Sequence, residues 1–434
     1  MSDPSPTPSK VTRRKFIHST AALAAVPLVT SAGTLRGQGF HAGSDTLKVG
    51  LIGCGGRGTG AAMQALRADK GAVLTAMGDV LKPKLDKSLT ALTEAGKDQV
   101  QVSNDNLFLG FDAFEKVVAS GVDVVILATP PTFRPVQLRA AIEAGKHVFC
   151  EKPVAVDGPG VRSVLETAAL AKKKNLSLVC GFCWRYSTRE REAFAKVHEG
   201  AIGRVHTVYT TYNTSPLRID KRKPAWSDME WQIRNWYHFT WLSGDHLVEQ
   251  AVHSIDKIAW AMNGELPAKA VAIGGRQARV EPERGNVWDH FGVTYEYESG
   301  ARGFHMCRQI QSCANDNSDL IMGEKGTCDI NGWAKRHVIT GENPWSCEAK
   351  SNNMYQQEHD ELFAAIRSGK PMNDGVWMSH SVLMAIMGRM AAYTGRDVTW
   401  DMALNSKEKL GPTQFVWGDL PVGEIPVPGK TQLI

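Results

Sequence analysis

The chain has 434 residues, of which 43% are hydrophobic and 22% charged, a composition typical of a soluble globular protein long enough for two domains. Its formal net charge is +5, but four of these charges lie in the first 40 residues, so the remainder is nearly neutral. This excludes a protein that binds nucleic acid through a broadly basic surface.

The N-terminus reads as a targeting signal and not as part of the folded protein. Arg13-Arg14-Lys15-Phe16 precedes a mildly apolar stretch at 21–29 that is too short to cross a bilayer. The pattern resembles a twin-arginine export signal, so residues 1–45 are predicted to be a signal peptide and linker, with cleavage near Ala32. The expected location is the periplasm or another exported compartment. A disordered basic tail is the alternative, and no other segment could span a membrane.

From residue 46 to about 165, short β-rich runs alternate with amphipathic stretches. The β-rich runs are 47–52, 72–77, 122–128 and 147–150, and the amphipathic stretches are 59–68, 82–95, 111–120 and 136–144. This alternation predicts an α/β fold whose N-terminal domain is a doubly wound parallel sheet of the Rossmann type. In such sheets, ligands bind beyond the carboxyl ends of the strands.

The first run ends in the turn Gly53-Cys54-Gly55-Gly56-Arg57-Gly58, which has the glycine spacing of a dinucleotide-binding site. Gly53 permits a tight turn, Gly55 lets backbone amides approach a pyrophosphate, and Gly58 lets the next helix pack closely. Asp79 ends the second run, where a carboxylate binds the adenosine ribose and repels a 2′-phosphate. The turn and Asp79 therefore predict NAD as the cofactor, with NADP less favoured. A purely structural strand-turn-helix is the alternative.

Two further motifs follow strands of the same predicted sheet and should open onto the same crevice. Thr129-Pro130 follows one strand, and Glu151-Lys152-Pro153 follows the next. A lysine beside a nicotinamide can hydrogen-bond a substrate hydroxyl and stabilise charge that develops on its oxygen. Thr129, Pro130, Glu151 and Lys152 are therefore predicted to contact the cofactor, and Lys152 also to act in catalysis. A surface turn with an ion pair is the alternative for the lysine motif.

After residue 165 the pattern changes. A helix (160–174) and a strand (177–179) lead into alternating runs such as 205–212 and 291–297, which are typical of antiparallel strands with one solvated face. Residues 166–370 are predicted to form a second, α+β domain with an open, mostly antiparallel sheet for substrate binding and oligomerisation. Residues 371–434 are predicted to be a C-terminal helix and tail that pack back on the body. Gly395 is the expected end of that Met-rich helix.

A candidate base lies in the segment 244–256, which is predicted to be one helix. Glu249 and His253 are four residues apart and would share a face, so the carboxylate could orient the imidazole while it accepts a hydroxyl proton. His246, Glu249 and His253 could instead bind a metal ion, but no fourth ligand is evident and no metal is predicted. A buried histidine with a satisfied partner is the ordinary alternative.

Tryptophan recurs every five residues from Trp226 to Trp241. This period fits neither a helix nor a strand, so a loop-rich wall is expected there. Aromatic rings pack well on sugar faces, and neighbouring polar side chains could bind hydroxyls. An aromatic core or a subunit interface is the open alternative. The eight cysteines are scattered and do not have the spacing of a disulfide framework.

Taken together, these motifs resemble the Gfo/Idh/MocA family of oxidoreductases. The resemblance runs from the glycine turn through Glu151-Lys152-Pro153 and Gly323-Glu324-Lys325-Gly326 to Trp400. It implies a Rossmann domain joined to an open-sheet domain, an active-site lysine at Lys152 and a base at His253. It further implies substrate contacts at Arg134, Trp184, Arg185 and Tyr186, and the tryptophan-rich segment adds Asn235, Trp236 and Tyr237 as candidates.

Three departures from the family pattern touch the expected substrate pocket. Glu249 stands where the family commonly has aspartate, Arg134 where a histidine is usual, and Trp184 where an arginine is common. The substrate of any one family member therefore cannot be carried over to this chain.

The expected function is that of an exported NAD(P)-dependent oxidoreductase that moves hydride between nicotinamide and a secondary alcohol carbon of a sugar, glycoside or cyclitol. Free NAD is scarce outside the cytoplasm, which favours a tightly bound cofactor that a second sugar recycles. Two alternatives remain open: a redox-neutral glycosidase acting by oxidation and elimination, and a non-catalytic sugar-binding protein. Family precedent implies a homo-oligomer, a dimer or tetramer, paired through the exposed sheet face.

Overall fold

The computed structural model describes residues 45–434, so the predicted export signal lies outside the described residues. Six parallel strands form the first sheet, in the order β3-β2-β1-β4-β5-β6. They are β1 (Leu47–Ile52), β2 (Ala72–Asp79), β3 (Leu107–Leu109), β4 (Val124–Leu127), β5 (His147–Cys150) and β6 (Leu178–Cys180). The strand order reverses between β1 and β4. In sheets of this kind the ligand-binding crevice lies at that switch point. The predicted doubly wound sheet is confirmed.

Five helices connect these strands, as parallel pairing requires. They are α1 (Gly56–Ala68), α2 (Lys82–Gly96), α3 (Ala113–Ala119), α4 (Arg134–Glu143) and α5 (Gly158–Lys173). Every residue of β4 and β5 is buried, which explains why these strands read as unbroken apolar runs. The Rossmann domain was predicted to end at residue 165. The end of α5 and all of β6 lie beyond that residue, and β6 is still a strand of the first sheet.

The second sheet has nine strands, in the order β14-β13-β12-β11-β7-β10-β9-β8-β15. They are β7 (Val205–Thr214), β8 (Lys269–Gly275), β9 (His290–Glu296), β10 (Arg302–Gln309), β11 (Asp319–Gly323), β12 (Gly326–Asn331), β13 (Arg336–Gly341), β14 (Trp345–Ser346) and β15 (Val398–Thr399). β7 and β10 pair in parallel, and the remaining pairs are antiparallel. The mostly antiparallel sheet is confirmed, with this one parallel pair as a difference.

Helices cover one face of the second sheet, and the other face is open. α6 (Thr188–His198), α10 (Val252–Ala261) and α12 (Gly375–Thr394) pack against its strands. The open face carries Ile273, Phe304 and Met306, each of them exposed. α12 ends where Gly395 adopts a left-handed conformation with φ of 70°, as the sequence predicts.

The remaining helices are short or lie near the first sheet. They are α7 (Asp228–Arg234), α8 (Thr240–Ser243), α9 (His246–Glu249), α11 (Met354–Ser368) and α13 (Trp400–Asn405). Beyond α13, residues 406–434 contain neither helix nor strand. Among residues 45–434, no helix combines the length and the apolar character needed to cross a bilayer.

The single helix predicted over 244–256 is wrong. The chain is broken twice there, by a left-handed Gly244 followed by Asp245 at φ 72°, and again between α9 and α10. At the second break the carbonyl of Glu249 accepts a hydrogen bond from the Lys152 ammonium. The His253 amide, which would bond that carbonyl in a continuous helix, bonds Gln250 at 3.3 Å instead.

Candidate active site

The glycine turn forms a backbone cradle at the start of α1. Gly53 has φ of 94°, and a Cβ on Gly58 would lie 1.9 Å from the Gly53 carbonyl oxygen, so the close approach of helix and strand requires glycine there. A Cβ on Gly55 or Gly56 would meet no atom within 4 Å. The space beside this helix N-terminus is therefore open, as an anion-binding turn requires.

Asp79 lies at the end of β2 beside this turn. Its carboxylate accepts hydrogen bonds from the Cys54 amide at 2.7 Å and from the Leu81 amide at 2.8 Å. Burial raises the pKa of Asp79, and these two amide bonds oppose the shift. The carboxylate retains acceptor capacity towards the cavity, since two oxygens offer about four lone-pair sites.

A cavity of about 250 Å³ opens between the turn, Asp79 and the segment that includes α7. Most of the predicted cofactor contacts line it, together with aromatic side chains that the sequence argument did not assign to a nucleotide. The lining includes Gly53, Gly55, Gly56, Arg57, Asp79, Thr129, Pro130, Phe111, Phe114, Phe133, Gln137, Trp236 and Tyr237. Backbone donors, a carboxylate and apolar walls are the groups that NAD requires, so these residues fit that cofactor.

Cys54 and Gly58 belong to the turn without lining the cavity. The Cys54 thiol is buried and donates to the Gly78 carbonyl at 3.5 Å, and burial raises its pKa. Gly58 serves the packing of α1 against the strand. Thr129 donates its hydroxyl hydrogen to Gln137 at 2.6 Å, a partner that the sequence argument missed.

Lys152 is paired with Glu249. Its ammonium lies 3.0 Å from Glu249 Oε1 and also donates to the Glu249 backbone carbonyl. The two side chains are 13% and 8% exposed, so little water screens the pair. The other carboxylate oxygen, Oε2, is buried without a hydrogen-bond partner. Glu249 therefore holds the lysine predicted to be catalytic.

His253 is partly buried near the same lysine. Burial first, and then the charges of Lys152 and Lys257, lower the pKa of its imidazole well below the usual 6.5. Its Nδ1 is buried without a hydrogen-bond partner, and its ring meets Phe182 edge-on at 5.9 Å. Glu249 does not orient this ring in the structure, because its carboxylate bonds Lys152 instead.

The residues of the alternative metal site have other partners. His246 Nδ1 lies 3.1 Å from Asp245, and Glu249 pairs with Lys152. Within residues 45–434, no group of three or more His, Cys, Asp or Glu side chains is placed to hold a metal ion.

Arg57 and Glu151 form a pair that the sequence argument missed. Arg57 Nε lies 2.5 Å from Glu151 Oε1, and its Nη2 lies 3.8 Å from the fully buried Glu358. Burial, and next the charge of Glu151, raise the pKa of Glu358 well above its usual value. Arg57 and Glu151 are 94 residues apart, so no local pattern relates them. The pair ties α1 to the turn that carries Lys152.

Four of the predicted substrate residues bond to the protein itself. Arg134 is buried and donates to the Pro153 carbonyl at 2.5 Å. Arg185 forms a two-point pair with Asp256 at 2.8 and 2.9 Å, and its guanidinium lies between two tryptophan rings. Tyr186 donates to the buried Asp374 at 2.7 Å. Asn235 bonds the backbone of Asp220 in both directions.

The three aromatic positions divide between two places. Trp236 and Tyr237 stack at 3.7 Å and line the nucleotide cavity. Burial, and then Glu249, raise the pKa of the Tyr237 phenol, which places it near the Lys152–Glu249 pair. Trp184 is buried and packs edge-on against the exposed Trp333 at 5.1 Å, with the Lys257 ammonium 4.6 Å from its ring.

The sheet order, the glycine turn and the cavity define a dinucleotide-binding protein. The profile described as "Oxidoreductase family, NAD-binding Rossmann fold" matches residues 47–182, and the profile described as "GFO/IDH/MocA C-terminal domain" matches residues 191–329. These ranges together cover more than half of the chain, so the protein belongs to the Gfo/Idh/MocA family of oxidoreductases, and residues 47–182 form its NAD-binding Rossmann domain.

Individual relatives agree with this family. The chain is 30% identical to Inositol 2-dehydrogenase 4 of Saccharopolyspora erythraea over 228 residues, 52% of this chain and 56% of that protein. It is 35% identical to a Glycosyl hydrolase family 109 protein of Solibacter usitatus over 154 residues, 33% of each chain. The aldose-aldose oxidoreductase from Caulobacter crescentus shares the fold, with a TM-score of 0.64 and 22% identity over 82% of this chain and 99% of that one.

These alignments are partial for the curated relatives. The chain spans little more than half the length of the inositol 2-dehydrogenase and a third of the glycosyl hydrolase.

Proposed function

We propose that the protein is an NAD-dependent dehydrogenase of a secondary alcohol carbon in a sugar or cyclitol. The observation that carries the proposal is the grouping of Lys152, which follows the carboxyl end of β5, with Glu249 and His253. The inositol 2-dehydrogenase relative supports the substrate class. NAD⁺, when bound, supplies the acceptor for the hydride that leaves the alcohol carbon.

The chain's own residues handle the proton and the oxygen in this proposal. The Lys152 ammonium, held by Glu249, donates a hydrogen bond to the substrate oxygen and stabilises negative charge on it. His253 is neutral at pH 7 because its pKa is lowered, so its imidazole can take the hydroxyl proton. The carbon loses a hydride and the oxygen loses a proton, which leaves a carbonyl.

Replacing the lysine tests this assignment. Lys152→Met should lower kcat by roughly 10²–10⁴-fold, because the oriented positive charge that stabilises the substrate oxygen during proton transfer is lost. Its NADH dissociation constant should change much less, since the glycine turn and Asp79 remain intact. The measurements are steady-state kinetics on a panel of sugars and cyclitols, and NADH binding followed by fluorescence.

Lys325→Met is the matched control, because this lysine is about half exposed in the turn between β11 and β12, and its side chain forms only a 3.8 Å pair with Glu342. It should leave both quantities unchanged. Equal losses of turnover and NADH binding in Lys152→Met would count against a catalytic role.

A redox-neutral glycosidase is the second candidate, and the 35% identity to a glycosyl hydrolase family 109 protein supports it. In that case oxidation of a sugar carbon, elimination of the aglycone and re-reduction leave total NADH unchanged. Incubation with nitrophenyl glycosides separates the two candidates. Release of nitrophenol at constant NADH favours the glycosidase, whereas a rise in NADH without release favours the dehydrogenase.

We further propose that the protein is exported through the twin-arginine route, on the strength of Arg13-Arg14-Lys15-Phe16. Replacing both arginines by lysine should keep the protein in the cytoplasm, and cell fractionation measures this. An unchanged distribution would contradict the export signal.

A further inference from the structure

The outer wall of the nucleotide cavity is aromatic and is drawn from two parts of the chain. Phe111 and Phe133 line the cavity from the first sheet. Ile233, Trp236 and Tyr237 line it from α7 and the turn that follows. Residues 406–420, which we call the tail segment, contact this wall from behind and lie outside both ranges matched by the family profiles.

One tail side chain touches both sides of the wall. The Phe415 ring lies 4.8 Å from Phe133 and 6.1 Å from Phe111. It also stacks at 6.2 Å on Trp241, which belongs to α8, on the side of α7. Trp417 adds a contact to Phe111 at 4.8 Å. Phe415 is therefore packed among rings from both sides of the cavity, although it does not line the cavity itself.

The backbone of the tail segment is bonded to α7. The Gly418 carbonyl accepts from the Met229 amide at 3.1 Å, and the Leu420 carbonyl accepts from Gln232 Nε2 at 2.6 Å. The Leu420 amide donates to Asp228 at 3.1 Å. These bonds fix the tail segment to the helix that ends beside Ile233 and Trp236.

The start of the tail segment is bonded to the nucleotide-binding half. The Ser406 carbonyl accepts from Arg162 of α5 at 2.9 Å. The Leu410 amide donates to Asp157, the N-cap of α5, at 3.0 Å. Both ends are thus held, one on the first sheet's helices and the other on α7, and the segment connects the two walls.

We infer that the tail segment is a cofactor-retaining staple, which holds the cavity closed over NAD and slows its release. Widening the cavity by moving Phe111 and Phe133 away from α7 would break the contacts of Phe415 with one side or the other. The inference rests on the proposed NAD site. It adds that the NAD bound there stays in place and exchanges slowly with solution. Phe415 acts through Phe111 and Phe133, so it is a positioning residue.

The test is the dissociation rate of NADH from the full chain. Trp236 lines the cavity, so energy transfer from tryptophan to bound NADH reports release when excess NAD⁺ is added in a stopped-flow instrument. Phe415→Ala should raise this rate about tenfold or more, because three ring contacts are lost and affinity changes appear mainly in dissociation. Phe415→Tyr, which keeps the ring, should restore slow release. Val416→Ala is the control, since Val416 is 61% exposed beside it.

An unchanged dissociation rate in a folded Phe415→Ala variant would overturn the inference. A wild-type protein that never binds NADH would overturn the proposed function instead, so the two failures are distinguishable. If Phe415→Ala does not fold, hydrogen exchange on the wild-type chain gives the answer. NADH should then slow exchange in residues 411–420 together with 226–242, and an unaffected tail segment would also overturn the inference.

Discussion

Lys152 is held through two different acceptors of one residue, the Glu249 carboxylate and the Glu249 backbone carbonyl. The carbonyl that accepts from Lys152 is the one that a continuous helix would offer to the His253 amide, and it lies where α9 ends at Glu249, before α10 starts at Val252. The lysine therefore binds at the local break. Sequence spacing alone predicted a continuous helix, because the partner lies 97 residues away.

His253 predicts a particular pH dependence at the residue scale. A base must be neutral to act, and burial with the charge of Lys152 lowers the pKa of this imidazole well below 6.5. Activity should therefore stay constant from neutral pH down through 6.5 and fall only where pH drops below the lowered pKa. The measurement is kcat/KM against pH, with His253→Asn as the comparison.

The pH at which activity falls tests the assignment of His253 as the base. Loss of activity as pH falls through 6.5 would mean that the imidazole titrates normally and that its burial has no consequence. A base that is protonated at neutral pH would contradict the proposed proton transfer.

At the scale of elements, two glycines at the junction of β1 and α1 have different roles, one in packing and the other in cofactor binding. A Cβ on Gly58 would lie 1.9 Å from the Gly53 carbonyl, whereas a Cβ on Gly55 points into open space at the cavity. Gly58→Ala should lower the free energy of unfolding by about 1–3 kcal/mol or more, because a backbone oxygen cannot move aside cheaply. Thermal unfolding measures it.

Gly55→Ala is the matched variant in the same turn. Its methyl group displaces no protein atom, so the melting temperature should hold or rise slightly, while NADH affinity falls because the methyl group occupies space beside the expected pyrophosphate. Equal destabilisation by the two substitutions would contradict the assignment of Gly58 to packing and of Gly55 to the cofactor.

Apart from the three-residue β3, which was not predicted, the elements of the first sheet could be predicted closely because each is a local pattern. The predicted strands at 47–52 and 147–150 coincide with β1 and β5. The predicted helices differ from α1, α2, α3 and α4 by a few residues at their ends. α1 begins at Gly56 and not at 59, since glycines in the turn carry no hydrophobic signal although they adopt helical geometry.

At the scale of the whole molecule, Arg185 joins the two sheets. It lies in the turn after β6, pairs with Asp256 of α10, and stacks between Trp260 and Trp377. Asp256 is 1% exposed, and Ser381 of α12 also donates to it at 2.7 Å. The pair therefore connects the strand edge of the Rossmann domain with two helices that cover the second sheet.

Arg185→Ala should lower the free energy of unfolding by about 3–5 kcal/mol, because it leaves a buried carboxylate without its two-point partner. Urea denaturation measures this change. Arg204→Ala removes an exposed pair with Glu324 and should cost about 0–1 kcal/mol. A loss for Arg185→Ala no larger than for this control would show that the link between the sheets is not buried in solution.

The sequence alone predicts the Rossmann half, the glycine turn and the alternation of the second sheet. These follow from short-range patterns, because strand and helix periodicity and turn chemistry act over a few residues. The tertiary structure alone decided the partners: Glu249 with Lys152, Arg57 with Glu151, and Phe415 with the aromatic wall. Such contacts join residues far apart in the chain. Close packing and the burial of charge select each partner, so a local sequence pattern cannot predict it.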